Sequence, residues 1–332
     1  MKVAIVKLSS IGDVVHALPV AIALKRRWPA VHVTWVAEAR EATLLRGHAA
    51  IDEVIVADTR GWRRSRPRRR GLREALRVAR ALRSGGFDVA LDLQGLLKSG
   101  VLAAMTRGRR RIGFASEFRR EWLAGLFVRE RVRPSTMARH VVDQYLSLLR
   151  PLGIADLAVE FNLPTDVAAD VRAEEFLADH GIKPRDRLVL INPGAARVDK
   201  RWPAESFRAV ARRIGEESGV RAVVVWGPGE ETDARAIVAG ATGAFLAPPT
   251  TLRDLVALSR RAALMIAGDT GPLHIAAALG VPCVGLYGPT SGVRNGPYGR
   301  GHRVLQSQDG RIASISVTSV LDAASRALED AA

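Results

Sequence analysis

The chain has 332 residues, enough for two domains that each bury a core of their own. Hydrophobic residues make up 48% and charged ones 25%, which excludes a disordered chain; a single cysteine, Cys283, excludes a disulfide scaffold or a thiolate metal cluster. Lysine and arginine outnumber aspartate and glutamate by 50 to 34, a net charge of +16, so polyanions are the expected partners: nucleic acid, an anionic membrane surface or a phosphorylated substrate.

From the amino terminus, short apolar runs alternate with longer stretches of helical period. Strands are expected over Val3–Leu8, His32–Val36, Val54–Ala57 and Val89–Leu93, with helices near 14–27, 71–84 and 96–106. Pro19 suggests that the first helix starts late or kinks. Alternation lapses over 151–187, where Pro151, Pro164 and Pro184 sit among charged residues, and a domain boundary is expected near 165. A second series follows: strands Leu188–Asn192, Ala222–Trp226, Leu264–Ala267 and Cys283–Tyr287, with helices near 204–217, 230–239, 251–260 and 271–279. A last helical pattern covers 316–330. Near-continuous apolar strands alternating with helices imply an α/β protein of two doubly wound parallel sheets. Ligand sites then lie at the strand carboxyl ends, toward a shared cleft.

The first residues hold an apolar run broken by Lys7, which is no signal peptide. Residues 270–293 contain no Asp, Glu, Lys or Arg, but Gly271, Pro272, Gly280, Pro282, Gly285, Gly288 and Pro289 divide them into a buried helix and a buried strand rather than a membrane span. A cytoplasmic protein is expected.

Four segments could carry chemistry. Ser9-Ser10-Ile11-Gly12-Asp13 directly follows the first strand, and its small residues allow a sharp turn close to a ligand, before a helix amino terminus. Ser10 and Asp13 also have capping-box spacing, so Asp13 is either a reactive carboxylate or a cap. Gly268-Asp269-Thr270-Gly271-Pro272-Leu273-His274 joins a buried strand to a helix. Its unpaired amides, the Thr270 hydroxyl and His274 could cradle a pyrophosphate, or the segment is simply a well-capped core helix. Asn192 to Pro203 is a loop whose Lys200 and Arg201 suit a diphosphate, or solvent. Grouped with this third segment is Trp226-Gly-Pro-Gly-Glu-Glu231, where Glu230 or Glu231 could meet ribose hydroxyls or merely favour a helix amino terminus.

The fourth segment is Arg60 to Arg73, which holds Arg60, Arg63, Arg64, Arg66, Arg68, Arg69, Arg70 and Arg73 and no acid. It fits phosphate or carboxylate recognition, nucleic acid, an anionic leaflet or a solvated face. No aromatic interleaving, helix-turn-helix or RNA-binding signature accompanies it. The chain has no Asp-x-Asp, His-x-x-x-His, Gly-x-Ser-x-Gly or phosphate-loop Gly-Lys-Ser/Thr, which weighs against metal hydrolases, serine hydrolases and loop-type NTPases.

Four blocks in order, Val6-Lys-Leu-Ser-Ser-Ile-Gly-Asp-Val-Val-His-Ala-Leu-Pro19, Asp92-Leu-Gln-Gly-Leu-Leu-Lys-Ser99, Lys200-Arg-Trp-Pro203 and Asp269-Thr-Gly-Pro-Leu-His274, resemble the heptosyltransferases of glycosyltransferase family 9. The resemblance implies a GT-B fold: an acceptor-binding Rossmann-like domain over 1–165, a nucleotide-sugar-binding one over 166–315, and a helix over 316–332 returning to the first. It implies inverting transfer of L-glycero-D-manno-heptose from ADP-heptose to a Kdo residue of Kdo-lipid A, with no metal or other cofactor. The anionic inner-membrane surface is then a partner at the cytoplasmic face, and nucleic acid is not.

Among the matching positions, Asp13 is the family's base, which takes the acceptor proton on the face opposite the departing diphosphate. Lys200 neutralises that diphosphate, within a cradle of Asp269, Thr270, Gly271, Pro272 and His274. Ser10 and Gly12, with Glu230 or Glu231 at the ribose, complete the donor set. Thr250 lies near the adenine, in a Pro249-Thr250 pair where relatives have Lys-Met, and Ala195 and Ala196 replace hydroxyl residues near the phosphates. Arg60, Arg63, Arg64, Lys98 and Arg120 match positions that hold the acidic acceptor. The alternatives are another family 9 transfer (a second core heptose, or a different nucleotide sugar or acceptor), a nucleotide-sugar epimerase, or a basic nucleic-acid-binding protein.

Overall fold

The computed structural model describes residues 1–64, 68–155 and 158–330. The chain divides into two compact units, Met1–Pro164 and Thr165–Ala332. In the first, strands β1 (Lys2–Val6), β2 (His32–Ala37), β3 (Glu53–Val56), β4 (Val89–Asp92), β5 (Arg110–Phe114) and β6 (Glu130–Val132) form a parallel sheet in the order β3-β2-β1-β4-β5-β6. The second contains β7 (Arg187–Asn192), β8 (Val220–Val224), β9 (Ala244–Leu246), β10 (Ala262–Gly268), β11 (Cys283–Tyr287) and β12 (Arg303–Gln306), ordered β12-β11-β10-β7-β8-β9 and again parallel.

Each sheet starts at its centre and winds outward in both directions. The reversal falls between β1 and β4 in one unit and between β7 and β10 in the other. At such a point successive loops leave toward opposite faces and open a crevice at the strand carboxyl ends.

The central strands are apolar on both sides because helices cover both faces. On one face of the first sheet Ala4, Val6, Val36, Ile55 and Ala90 pack with Val78, Leu82 and Phe87. In the second unit Val189, Ile191, Val224, Leu264 and Ile266 pack with Phe207, Val210 and Ile214. Four strands are not among those expected from the sequence. β6 and β12 are short, partly exposed sheet edges that carry charged or polar residues, and β9 is an apolar edge of three residues, too short to stand out as a run. β5 begins with Arg110 and Arg111, and Arg110 forms a two-pronged ion pair with Glu130 on β6, at 2.7 and 2.5 Å.

The first helix runs Ile11–Arg27 with Pro19 inside it, beginning earlier than Pro19 suggested. The Ser10 N–H donates to the Asp13 carboxylate at 3.1 Å, which fixes the first turn ahead of the proline. The Ser9–Ser10 peptide bond is cis.

The closing helix Val317–Glu329 buries Val320, Ala323, Ala324, Ala327 and Leu328 in the core of the carboxy-terminal unit, where its apolar stripe packs in one cluster with Val284, Leu286 and Phe207. Among the described residues no helix is long and apolar enough to cross a membrane.

Trp202 ties the Lys200 loop to this core. Its indole N–H donates to the Ile315 carbonyl at 2.9 Å, and its ring stands edge-on to Phe207 with centroids 4.9 Å apart. Trp202→Phe keeps the ring contact and strands a buried carbonyl. It should lower unfolding stability by about 1–3 kcal/mol in chemical denaturation; an unchanged midpoint would show that the bond holds nothing.

Candidate active site

The reversal point of the first sheet lies between the loop leaving β1 and the loop leaving β4. Gln94 sews them together: its Oε1 accepts from the Leu8 N–H at 2.6 Å and its amide donates to the Ser9 carbonyl at 3.1 Å. Asp92 shapes the β4 loop by accepting the Gln94 and Gly95 N–H groups at 3.0 and 3.1 Å. Burial pushes the Asp92 carboxyl up in pKa, and those two bonds oppose the rise.

Asp13 stands at this point, in the first turn of the helix. Its Oδ2 accepts from the Ser10 N–H and hydroxyl, the latter at 2.8 Å. Its Oδ1 lies 3.4 Å from Lys7 Nζ, 3.9 Å from the Arg120 guanidinium and 3.1 Å from the Tyr145 hydroxyl, which donates to it. Burial alone would raise the Asp13 pKa. The Lys7 ammonium, then Arg120 and the Ser10 bonds, outweigh it and hold the carboxyl far below the ordinary range. Asp13 is therefore charged at any physiological pH, and it braces the helix start through the Ser10 N–H.

In the second unit the reversal point brings β7 and β10 together. Lys200 Nζ bonds Asp269 Oδ2 at 2.6 Å, and His274 Nε2 meets Asp269 Oδ1 at 3.2 Å. Burial works against the Asp269 charge, but the His274 and Lys200 contacts prevail and draw its pKa down to about 2. Gly268 lets this approach happen, since a Cβ there would sit 3.1 Å from the Lys200 carbonyl. Thr270 caps the helix Gly271–Ala278, with Pro272 in its first turn, and donates its hydroxyl to Asn192 Oδ1 at 3.2 Å. A cation, a helix amino terminus and an imidazole thus converge where an anion would be stabilised.

The two candidate ribose acids part company. Glu230 folds inward: its carboxylate accepts the Gly227 N–H at 2.8 Å and lies so close over Gly194 that a Cβ there would come within 1.9 Å. Glu231 instead pairs with Arg235 on the surface at 2.5 Å. Thr250 follows β9, in a loop joined to the β8 loop by the Trp226 indole, which donates to the Ala247 carbonyl at 2.8 Å.

A fold alone does not fix a function, so relatives decide the family. Residues 75–324 match the model of glycosyltransferase family 9 (heptosyltransferase). The chain belongs to glycosyltransferase family 9. It is 32% identical over 301 residues to lipopolysaccharide heptosyltransferase 1 of Pseudomonas aeruginosa, covering 90% of this chain and 82% of that protein. Among solved structures, a family 9 glycosyltransferase of Veillonella parvula superposes with a TM-score of 0.87 at 27% identity, covering 99% of this chain and 97% of that one. The E. coli heptosyltransferase WaaC with ADP gives 0.81 at 28% identity, with both chains fully covered. The chain is thus a glycosyltransferase with the GT-B type of fold.

As a family 9 enzyme it places the remaining expected residues as follows. Ser10 and Gly12 belong to the Asp13 turn, and Arg120 lies within reach of Asp13. Arg60 is exposed on the helix Thr59–Arg64; Arg66 and the side chains of Arg63, Arg64, Arg68 and Arg70 lie outside the described residues. Lys98 is paired with the buried Glu38 at 3.1 Å and bonded to the Thr59 hydroxyl at 3.2 Å. Lys7, Tyr145, Gln94 and Glu38 were not singled out as site residues. Lys7 had one signal, a charge at the carboxyl end of an otherwise apolar strand.

The Asp269 pair has a pH signature. With a pKa lowered from 3.8 to about 2, its contribution is present above the unfolded value and is lost as pH falls between the two. Asp269→Asn should cost up to roughly 2 kcal/mol at neutral pH, and the two stability curves should converge near pH ~2. A constant offset across that window would rule out the ion pair as the cause.

Proposed function

We propose that this enzyme transfers L-glycero-D-manno-heptose from ADP-heptose to a Kdo residue of Kdo-lipid A, with inversion and without a metal ion, in lipopolysaccharide core biosynthesis. The observation that carries the reading is Asp13, held ionised at the reversal point of its sheet, in a family whose relative from Pseudomonas aeruginosa is a lipopolysaccharide heptosyltransferase 1. Asp13 accepts the proton of the acceptor hydroxyl while that oxygen bonds to the anomeric carbon. The bond from that carbon to the diphosphate breaks, and ADP leaves with the electron pair.

Charge on the departing diphosphate is met by Lys200, by the amides at the start of Gly271–Ala278, and by Thr270 and His274, in the role a divalent cation fills elsewhere. Glu230 is the acid assigned to the ribose hydroxyls, because its carboxylate folds against Gly227 and Gly194 while Glu231 pairs with Arg235 on the surface. Arg60, Arg63, Arg64, Lys98 and Arg120 serve the carboxylate and phosphates of the acceptor. A lipid-linked anionic acceptor and a charge of +16 support work at the cytoplasmic face of the inner membrane.

The test is ADP release from ADP-heptose in EDTA, with and without Kdo-lipid A. Acceptor-dependent release despite the chelator is expected. No release from folded enzyme that still binds ADP would discard this acceptor or sugar in favour of another family 9 transfer. Asp13→Ala should lower the transfer rate at least ~100-fold while ADP still binds; near-normal transfer would leave Asp13 a helix cap. Lys200→Ala should lower the rate more than it weakens ADP binding, and an unchanged rate would remove Lys200 from the diphosphate.

A further inference from the structure

The environment of Asp13 contains more than a base needs in order to be charged. Lys7 is fully buried at the end of β1, and its ammonium donates to the Tyr145 hydroxyl at 2.7 Å and approaches the Leu93 carbonyl at 3.5 Å. Tyr145 comes from the helix Val141–Ser147, 132 residues along the chain from Asp13, and its hydroxyl donates to Asp13 Oδ1 at 3.1 Å. The ammonium donates to the phenol oxygen and the phenol donates to the carboxylate, so Lys7 to Tyr145 to Asp13 is a polarised chain.

The contacts divide cleanly between the two carboxylate oxygens. Oδ1 carries Tyr145, Lys7 and the more distant Arg120, whereas Oδ2 carries only the Ser10 N–H and hydroxyl. Of these, the Ser10 hydroxyl can turn aside by rotating one bond, while Tyr145 and Lys7 are buried and the N–H belongs to the main chain.

We propose that Tyr145, backed by Lys7, is a positioning residue for the transfer: it anchors Oδ1 and leaves Oδ2 as the atom that takes the acceptor proton. This rests on the reading of Asp13 as the base. In the step the acceptor O–H proton passes to Oδ2, the Ser10 hydroxyl having swung away, and the oxygen's electron pair forms the bond to the sugar. The Asp13 side chain is 19% exposed, so the proton leaves to solvent once the product departs. A reacting hydroxyl must meet its base within a few tenths of an ångström, and an untethered carboxylate would rotate through that range.

Other charged and titratable groups surround the pair. Asp92 at the end of β4 faces Lys7, Arg120 faces Asp13 from the segment after β5, and one turn along the same helix His16 stands edge-on to His140 at 5.3 Å. None of them is altered by deleting the Tyr145 hydroxyl. Tyr145→Phe keeps the ring, its tilted contact with Phe114 and its place 4.7 Å from Lys7 Nζ.

The experiment is single-turnover transfer by Tyr145→Phe, with the acceptor KM, ADP affinity and thermal midpoint measured beside it. Asp13 is held ionised far below the ordinary carboxylate range, so the readout is the rate at saturating acceptor and not a pH limb. That rate should fall on the order of 10-fold, with acceptor KM, ADP affinity and midpoint unchanged. A wild-type rate in Tyr145→Phe would overturn the proposal, and so would a loss of rate matched by a lower midpoint or a raised acceptor KM, which is what a merely structural tyrosine gives. Asp13→Asn separates the two readings: if it retains transfer, the base assignment fails, whereas an inactive Asp13→Asn beside a wild-type Tyr145→Phe rate defeats the positioning role alone.

Discussion

At the reversal point of a parallel sheet, buried strand ends, helix starts and open crevice meet within a few residues, and any charge placed there must be paired before a ligand arrives. Both units obey this constraint with the same chemistry, a carboxylate held by a lysine. In the first, Asp13 follows β1 and is faced by Lys7 at 3.4 Å; in the second, Asp269 follows β10 and is held by Lys200 at 2.6 Å. Burial opposes the charge on each carboxylate, and the cation beside it helps to reverse that effect. Such pairs are poor sources of stability, since desolvation cancels most of their attraction. Their presence makes sense as a requirement of the site: the ionised forms have to exist at neutral pH.

The same constraint explains why the site residues are already bonded to one another. Lys200 is satisfied by Asp269, Glu230 by the Gly227 N–H, Thr270 by Asn192, and the Ser10 hydroxyl by Asp13. Those bonds keep these polar groups from being left buried and unpaired.

Much of the fold was legible because the central strands are buried on both faces and so read as unbroken apolar runs. The strands that escaped, β5, β6, β9 and β12, are those whose residues face water or carry arginines. The loops carrying Asp13, Lys200 and Asp269 were legible for a different reason: each sits directly after a strand, with glycine or small residues permitting a close approach. Tyr145 was not, because its contact with Asp13 spans 132 residues and the helix bearing it has no unusual composition. Nor could sequence separate Glu230 from Glu231, since adjacent residues differ only in the direction their side chains take, and the bare Gly194 backbone beneath Glu230 decides that.

In the first unit, Lys98 has a structural task whatever else it does. Lys98 is a cation beside a crevice, yet its charge is matched by Glu38, a carboxylate that is itself buried and also accepts from Thr59. Glu38 ends β2, Thr59 begins the helix that carries Arg60, and Lys98 begins the helix Leu97–Met105 after β4. One buried carboxylate therefore fastens three neighbouring strand-end loops, and Lys98 is the bolt through them. Losing Lys98 would strand Glu38 and loosen the arginine-bearing helix, so weakened acceptor use in such a variant would not by itself mark Lys98 as a contact. Arg60 and Arg120 are different: both are exposed, and Arg120 stands 3.9 Å from Asp13 with most of its guanidinium open to solvent. A role in holding an anionic acceptor is therefore read more cleanly from Arg60 or Arg120, whose loss leaves Glu38 paired with Lys98.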